Sequence, residues 1–182
     1  MTRIIAGRYG GRRIHTPKGD GTRPTSDRVR EALFSSLESE LGGFDDDLTV
    51  LDLFAGSGAL GLEALSRGAQ FAQFVESDPR AARVVQHNLK ELGARGSVTR
   101  TSAERYVAEA PGGTFGLVFI DPPYAMATDK VASLVADIRG RSSGPGALFV
   151  VERATRDPFG WPEGVEGLRE KKYGETTLWY GR

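Results

Sequence analysis

A short motif near the middle of the chain has the residue types needed to hold an amine. Asp121-Pro122-Pro123-Tyr124 directly follows the apolar run 117–120. The two prolines fix two φ angles and keep the preceding residue extended, so the motif should form a rigid arm at the end of a strand. A carboxylate and a backbone carbonyl held on such an arm can each accept one N–H of an amine.

An exocyclic amine on a nucleic-acid base is a weak nucleophile, because its lone pair is delocalised into the ring. If Asp121 accepts one N–H and the Pro122 carbonyl accepts the other, the nitrogen becomes more tetrahedral and its lone pair can face an electrophilic methyl group. Positioning and preorganised acceptors then provide the catalysis. Tyr124 can stack on a base taken out of its helix or loop. The motif therefore predicts methylation of a base amine.

A second motif is a glycine-rich loop between a predicted strand and a predicted helix. Gly56, Gly58 and Gly61 form the pattern G-x-G-x-x-G, which allows a tight turn and close approach of a ligand. Glu76 ends the next predicted strand, where a carboxylate can accept hydrogen bonds from both ribose hydroxyls of an adenosine. The pattern indicates an adenosine-containing cofactor, and taken alone it also fits nicotinamide dinucleotides.

Asp52 lies in the predicted strand that precedes these glycines, and it discriminates between the two classes of cofactor. A carboxylate at this turn would not stabilise a bound pyrophosphate, but it would stabilise the ammonium and sulfonium groups of S-adenosylmethionine. A purely structural role in capping the loop is the alternative for Asp52. We therefore expect S-adenosylmethionine, with S-adenosylhomocysteine as its product. The other residues expected beside the cofactor are Phe54, Ser57, Ser102 and Ala103.

Charge is unevenly distributed along a chain whose net charge is zero. Residues 1–30 carry eight Lys or Arg and two Asp, an excess of +6 that leaves −6 on the remainder. Concentrated positive charge indicates a phosphate-bearing partner, and a solvated basic tail is the alternative. The interleaved Ile4, Ile5, Tyr9 and Ile14 favour a folded segment.

Composition also excludes several kinds of site. The chain has no cysteine, which rules out disulfides, thiolate metal sites and a cysteine nucleophile. His15 and His87 are far apart in the sequence and show no ligand spacing, so we expect no metal. No apolar run reaches the ~20 residues that cross a bilayer, and the N-terminus does not resemble a signal peptide. We expect a cytoplasmic monomer that does not bind membranes.

Hydrophobic periodicity predicts the elements that position these motifs. A hairpin over 3–6 and 11–15 precedes a helix that begins near Thr25, Ser26 and Asp27. Strands and helices then alternate, which predicts a parallel sheet covered on both faces. The predicted strands are 48–54, 71–76, 97–101, 115–120 and 146–152, and the predicted helices are 59–67, 79–92, 103–109 and 128–139.

A hairpin of strands 167–173 and 176–181 closes the chain and makes the last strand antiparallel. The acidic link after the first helix suggests two parts. Residues 1–44 would form a basic hairpin-and-helix appendage that docks on RNA, and residues 45–182 would form the catalytic domain that binds S-adenosylmethionine.

Together the motifs resemble those of the class I amino-methyltransferases. Over the whole chain they resemble more closely the RsmD family, which methylates guanine N2 in bacterial small-subunit (16S) ribosomal RNA. The N-terminal block favours this family over DNA adenine methyltransferases, which share the two catalytic motifs. The residues that carry the resemblance are Arg3-Ile4-Ile5-Ala6-Gly7, Gly11-Arg12-Arg13-Ile14, residues 23–34, Asp52 to Gly58, Glu76 and Asp121 to Tyr124.

The resemblance implies a Rossmann-like α/β fold. Its seven-stranded sheet would be mostly parallel, with an antiparallel last strand and an N-terminal β-hairpin and helix. It also implies ribosomal RNA as partner, within the small subunit or an assembly intermediate, with the basic hairpin docked on phosphates. For Arg28, a surface pair with Glu31 is the alternative. The residues expected to contact RNA are Arg12, Arg13, Arg23, Thr25 and Arg28.

Four alternatives stay open at this point. The amine could belong to adenine N6 in RNA or DNA, or to a protein glutamine. The chain could be a nicotinamide-dependent oxidoreductase, which would leave Asp52 and Asp121-Pro122-Pro123-Tyr124 unexplained. It could also be an RNA-binding module that kept the fold without catalysis, in which case Asp121→Ala would leave RNA affinity intact.

Overall fold

The computed structural model describes residues 2–19, 26–109 and 113–182. Arg23 and Thr25, both expected to contact RNA, lie outside these ranges. Within them, no helix is both long enough and apolar enough to cross a membrane.

A seven-stranded sheet forms the centre of the molecule. Its strands follow the order β5-β4-β3-β6-β7-β9-β8, and all are parallel except β9, which runs antiparallel to both of its neighbours. The predicted antiparallel last strand is therefore confirmed. The strand bounds are β3 Thr49–Asp52, β4 Phe71–Glu76, β5 Gly96–Arg100, β6 Phe115–Ile120, β7 Ser143–Ala154, β8 Gly167–Tyr173 and β9 Thr176–Gly181.

Among the residues that the structure describes, five helices alternate with these strands. Apart from α1, they connect consecutive strands of the sheet, as the alternating pattern predicted. The last of them extends two residues beyond its predicted end, Arg139. The helix bounds are α1 Asp27–Leu41, α2 Ala59–Arg67, α3 Pro79–Leu92, α4 Ala103–Glu109 and α5 Thr128–Arg141.

Local chemistry explains where the helices begin and end. The Ser26 side chain accepts a hydrogen bond from the Val29 amide at the start of α1, and Gly42 ends that helix at φ 71°. At α3, Asp78 caps the first turn, which Pro79 opens.

The N-terminal hairpin is shorter than predicted. Its strands are β1 Thr2–Arg3 and β2 Arg13–Ile14, two residues each. The prediction over 3–6 was wrong because the chain turns away to bind α2. The carboxylate of Glu63 accepts hydrogen bonds from the Ile5 amide at 2.9 Å and the Ala6 amide at 3.5 Å.

The N-terminal segment shares one hydrophobic core with the sheet. Ile4 and Ile14 are buried, which confirms that the basic segment is folded. They belong to the cluster that covers one sheet face together with the apolar side of α1, including Phe34, whose ring lies 5.8 Å from that of Phe119. A second cluster, around α4 and α5, covers the other face.

The strand order changes direction between β3 and β6. From β3 the chain adds β4 and β5 on one side, and then β6 and β7 on the other. Open α/β sheets bind ligands outside the carboxyl ends of the strands at such a switch point. Both motifs found in the sequence follow these two strands.

Candidate active site

A cleft of about 550 Å³ opens at this switch point. Its size lies in the range of small-molecule sites. Four acidic side chains line it, one from each of four adjacent strands: Glu76 of β4, Asp52 of β3, Asp121 just after β6 and Glu152 of β7. A row of carboxyl groups across a cleft suits a ligand that carries positive charge, and it opposes a pyrophosphate.

The glycine loop closes one end of the cleft. Gly56 has φ 58° and donates its amide to the Glu76 carboxylate at 2.9 Å, while the Asp78 amide donates to the other oxygen at 2.8 Å. Glu76 therefore ties the loop to the end of β4, and each of its oxygens keeps a further lone pair for a ligand. Phe54, Gly56 and Ser57 also line the cleft, and their contact with a cofactor stays a prediction.

The other two glycines of the loop serve packing. Gly58 precedes α2 at φ 83°, and a Cβ atom there would lie 3.1 Å from Val85. At Gly61 a Cβ atom would lie 2.4 Å from the Phe74 ring, so only glycine lets α2 pack this closely on β4. Gly58 is not among the residues that line the cleft.

Asp52 supports the start of α2 and also faces the cleft. Its carboxyl accepts a hydrogen bond from the Gly61 amide at 3.1 Å, in the first turn of α2, and it also lines the cleft. Burial raises the pKa of Asp52 to about 7, against the lowering effect of the Gly61 hydrogen bond, and the charge of Glu76 raises it further. A cation bound beside Asp52 would favour its ionised form.

The Asp121-Pro122-Pro123-Tyr124 arm forms the opposite wall, and all four residues line the cleft. Burial, the charge and hydrogen bond of Glu152, and the charge of Asp52 all raise the pKa of Asp121 well above its ordinary value. The Tyr124 hydroxyl lies 2.8 Å from the Thr176 hydroxyl at the start of β9. The phenol is therefore anchored at its outer end.

Two arginines that support the cleft were not among the predicted site residues. Arg153 is buried behind the arm and donates to the carbonyl oxygens of Pro123 at 3.5 Å and Met126 at 2.7 Å. Arg30 is also buried, lines the cleft and donates to Thr2 Oγ1 and to Asp27 Oδ1. Arg30 thereby joins α1 to the hairpin beside the site.

Helical spacing could have identified Arg30. It lies three, four and seven residues before the apolar positions Leu33, Phe34 and Leu37, so it belongs to the buried face of α1. Glu152 was also missed as a site residue. It ends the predicted strand 146–152, just as Glu76 ends the predicted strand 71–76, and that shared position was the available signal.

Ser102 and Ala103 do not line the cleft. Ser102 is exposed and its hydroxyl accepts the Arg105 amide at 3.2 Å, which caps α4, while Ala103 is buried. Their contact with a cofactor stays a prediction.

The basic residues predicted to bind RNA lie at the surface where the structure describes them. Arg12, Arg13 and Arg28 are all exposed. Arg12 also donates to the Glu91 carbonyl at 3.0 Å, so it helps to fix the hairpin on α3. RNA contact by these residues stays a prediction.

The prediction that His15 and His87 show no ligand spacing was wrong. Their rings lie 4.6 Å apart, and both Nε2 atoms lie 3.2 Å from the carboxylate oxygens of Glu91. The nitrogens and the carboxylate are close enough to share an ion, although each side chain is about half exposed. His87 and Glu91 are one turn apart on α3, and the docked hairpin brings His15 to them. The absence of a metal stays a prediction.

Comparison with known proteins agrees with this architecture. The profile of the family described as conserved hypothetical protein 95 matches residues 2–182. YlbH of Bacillus subtilis, whose name proposes an rRNA methyltransferase, is 43% identical over 183 residues, which cover 97% of this chain and 96% of that protein. Ribosomal RNA small subunit methyltransferase D of Escherichia coli strain K12 is 43% identical over 123 residues, covering 67% of this chain and 60% of that protein.

A solved structure shares the fold over the full length. The Escherichia coli protein yhhF, titled as a proposed methyltransferase, superposes with a TM-score of 0.85 and 32% identity, covering 100% of this chain and 97% of that one. The profile match and the long alignments extend beyond the two motifs to the N-terminal hairpin and the C-terminal strands. This chain belongs to the RsmD/YlbH family of class I methyltransferases.

Proposed function

We propose that this protein transfers a methyl group from S-adenosylmethionine to the exocyclic N2 amine of a guanine in small-subunit ribosomal RNA. One observation carries the proposal. Asp52 ends β3 and Asp121 directly follows the paired strand β6; both line the cleft, close enough for the charge of Asp52 to raise the pKa of Asp121. One carboxyl group can then hold the cationic methyl donor while the other holds the amine that receives the methyl.

The cofactor-binding residues in this proposal come from the loop side of the cleft. Asp52 would pair with the ammonium group, and Glu76 would accept hydrogen bonds from the ribose hydroxyls. Phe54, Gly56 and Ser57 would line the remaining surface, with the adenine near Ser102 and Ala103. S-adenosylmethionine supplies an electrophilic methyl group on a sulfonium. The acidic row fits this ligand because its reactive end is positively charged.

The arm residues would hold and orient the guanine. Asp121 accepts one hydrogen of the N2 amine, the Pro122 carbonyl accepts the other, and Tyr124 stacks on the flipped base. As the new N–C bond forms, the C–S bond breaks and its electron pair stays on sulfur. The methylated ammonium then releases one proton, for which the ionised Asp121 carboxylate is an acceptor in the cleft.

Recognition of the RNA would begin at the N-terminal hairpin. Arg12, Arg13 and Arg28 are exposed on the segment that also supplies Thr2, Thr16 and Arg30 to the cleft. Phosphates bound by the exposed arginines would therefore lie near the mouth of the site. Such contacts position the RNA without reading its sequence.

The test is to locate the methyl group that the protein transfers. The protein is incubated with radiolabelled S-adenosylmethionine and with small subunits, or naked rRNA, that lack the modification, and the labelled nucleoside is identified. We expect label on guanine N2. Asp121→Asn should lower the rate about 100-fold or more while cofactor affinity is retained. Asp46→Asn, an exposed substitution outside the cleft, is the matched control.

Other outcomes would contradict the proposal in distinct ways. Label on adenine N6 or on protein would contradict the guanine assignment. Calorimetry with NADH and S-adenosylmethionine tests the cofactor, and tight binding of NADH alone would contradict a methyltransferase.

A further inference from the structure

Glu152 lies beside Asp121 in a position that the proposed reaction does not use. The parallel pairing of β6 and β7 ends with Ile120 opposite Val151, so the next residues of the two strands are neighbours. Their side chains form a hydrogen bond with each other, and both line the cleft. Two carboxyl groups therefore project together at the position where the amine is expected.

A buried carboxyl pair of this kind reduces the stability of the folded protein when no ligand is bound. Burial disfavours the charge on Asp121, and the neighbouring charge of Glu152 disfavours it further, so the pKa of Asp121 lies well above its ordinary value. The next residue, Arg153, points behind the arm and binds Asp157 at 3.0 Å, so it does not neutralise the pair from within the cleft. Acidic groups that face a cleft and reduce the stability of the folded protein are characteristic of binding sites.

Guanine matches this pair because its hydrogen-bond donors are adjacent. Its N1 carries one N–H and its N2 amine carries two, which gives three donors along one edge. Asp121, the Pro122 carbonyl and Glu152 give three acceptors. Adenine and cytosine also have an exocyclic amine, but the adjacent ring nitrogen carries a lone pair, which would face the carboxylate of Glu152.

We propose that Glu152 is a specificity-determining residue that selects guanine by accepting its N1–H while Asp121 accepts a hydrogen of N2. This inference rests on the proposed function and names the group that reads the base. The N–H donors of guanine would replace the hydrogen bond that Asp121 and Glu152 make with each other. A base with a lone pair at the N1 position leaves that carboxylate without a donor and is bound less well.

The experiment compares two bases that both carry the N2 amine. Once the methylated nucleotide is mapped, small subunits are reconstituted with rRNA that has either guanine or 2-aminopurine at that position. 2-Aminopurine keeps the amine but has a lone pair at N1 and no O6. For each protein, kcat/KM is measured on both substrates, and the affinity for S-adenosylmethionine is measured by calorimetry.

We expect the wild-type protein to prefer guanine by at least about tenfold. In Glu152→Gln the amide can donate to a lone pair as well as accept from an N–H, so the preference should fall by about tenfold or more, with cofactor affinity unchanged. The change in the preference between the two proteins isolates the contact at N1, because the loss of O6 affects both equally. Glu163→Gln, an exposed change outside the cleft, should keep the wild-type preference.

Equal losses on both substrates in Glu152→Gln would overturn the inference, because Glu152 would then only support Asp121. If that variant does not fold, the comparison of the two substrates with the wild-type protein still tests the inference. Equal values of kcat/KM on guanine and 2-aminopurine would exclude a contact between Glu152 and N1–H. Absence of any methyl transfer to guanine by the wild-type protein would instead show that the proposed function has failed.

Discussion

Asp121 and Glu152 share a hydrogen bond across the ends of two neighbouring parallel strands. The arrangement joins a carboxyl group from the arm to one from a strand that the sequence motifs do not include. Burial and the charge of Glu152 raise the pKa of Asp121 well above the ordinary value of 3.8. The hydrogen bond and the charge of Glu152 therefore affect how strongly Asp121 can accept a hydrogen bond from an amine.

The pH dependence of methyl transfer should reflect this raised pKa. The ionised carboxylate of Asp121 is a stronger acceptor for an N–H than the protonated acid, and only this form can take up the released proton. Activity should therefore fall as the pH decreases through the raised pKa of Asp121, well above the range of an ordinary aspartate. Glu152→Gln removes the neighbouring charge and lowers the pKa of Asp121, so the acidic limb should move to lower pH. The profile of kcat/KM against pH measures both effects. An acidic limb in the same place in Glu152→Gln and wild type would contradict this coupling.

Asp52 should make cofactor affinity depend on pH. Its pKa in the unliganded protein is raised to about 7, and a bound ammonium group would lower it, so binding should release a proton near neutral pH. Between pH 6 and pH 8 the affinity for S-adenosylmethionine should rise about tenfold. Calorimetry in two buffers with different ionisation enthalpies measures the affinity and the released proton together.

The same raised pKa affects the stability of the unliganded protein. Between pH 4 and pH 7 the folded state retains a proton on Asp52 that the unfolded chain releases, so this group makes stability fall as the pH rises through that window. Asp52→Asn should remove this dependence from thermal unfolding and should also flatten the pH profile of cofactor affinity. If Asp46→Asn, the exposed control, flattened them equally, Asp52 would not be the responsible group.

Local sequence patterns were sufficient to predict the motifs, but they did not predict which side chains from different strands contact each other. The element types, the glycine loop and the arm depend on neighbouring residues, and the structure confirms their positions along the chain. Glu152 becomes a neighbour of Asp121 only through the register of β6 and β7, which pairs Ile120 with Val151. A register between strands separated by a helix is a property of the whole sheet, so sequence spacing does not reveal it.

The N-terminal hairpin shows the same limit. Its two strands were predicted too long because the partners of its backbone are side chains on α2 and α3. The Glu63 carboxylate accepts a hydrogen bond from the Ile5 amide, and the Asn88 side chain accepts one from the His15 amide at 2.9 Å. The contact between His15 and His87 follows from this docking and could not be read from residues so distant in the sequence.

Asn88 should couple the hairpin to the glycine loop. Its buried side chain accepts the His15 amide and donates to the carbonyl oxygens of His15 and Ser57, each at 3.0 Å. Asn88→Ala leaves these groups without their partner, so we expect a loss of about 2 kcal/mol in the free energy of unfolding. Weaker binding of S-adenosylmethionine should accompany it, because Ser57 lines the cleft.

The matched control for Asn88 is on the same helix. Gln86 is exposed, and Gln86→Ala should change stability by no more than about 0.5 kcal/mol. Urea unfolding and calorimetry measure the two effects. A destabilised Asn88→Ala protein with unchanged cofactor affinity would show that the hairpin and the glycine loop are independent.

Arg13 tests whether the exposed basic hairpin binds RNA. Its side chain is exposed at the start of β2, on the segment that reaches the cleft through Thr16. If it neutralises one phosphate, Arg13→Ala should reduce the slope of log affinity against log salt by about one and weaken RNA binding roughly tenfold at 0.1 M salt. Arg12→Ala should in addition lower stability, because Arg12 also donates to the Glu91 carbonyl.

Lys171→Ala, on the strand at the opposite edge of the sheet, is the control and should leave the slope of log affinity against log salt unchanged. Equal slopes for Arg13→Ala and the wild-type protein would mean that RNA approaches the cleft from another direction.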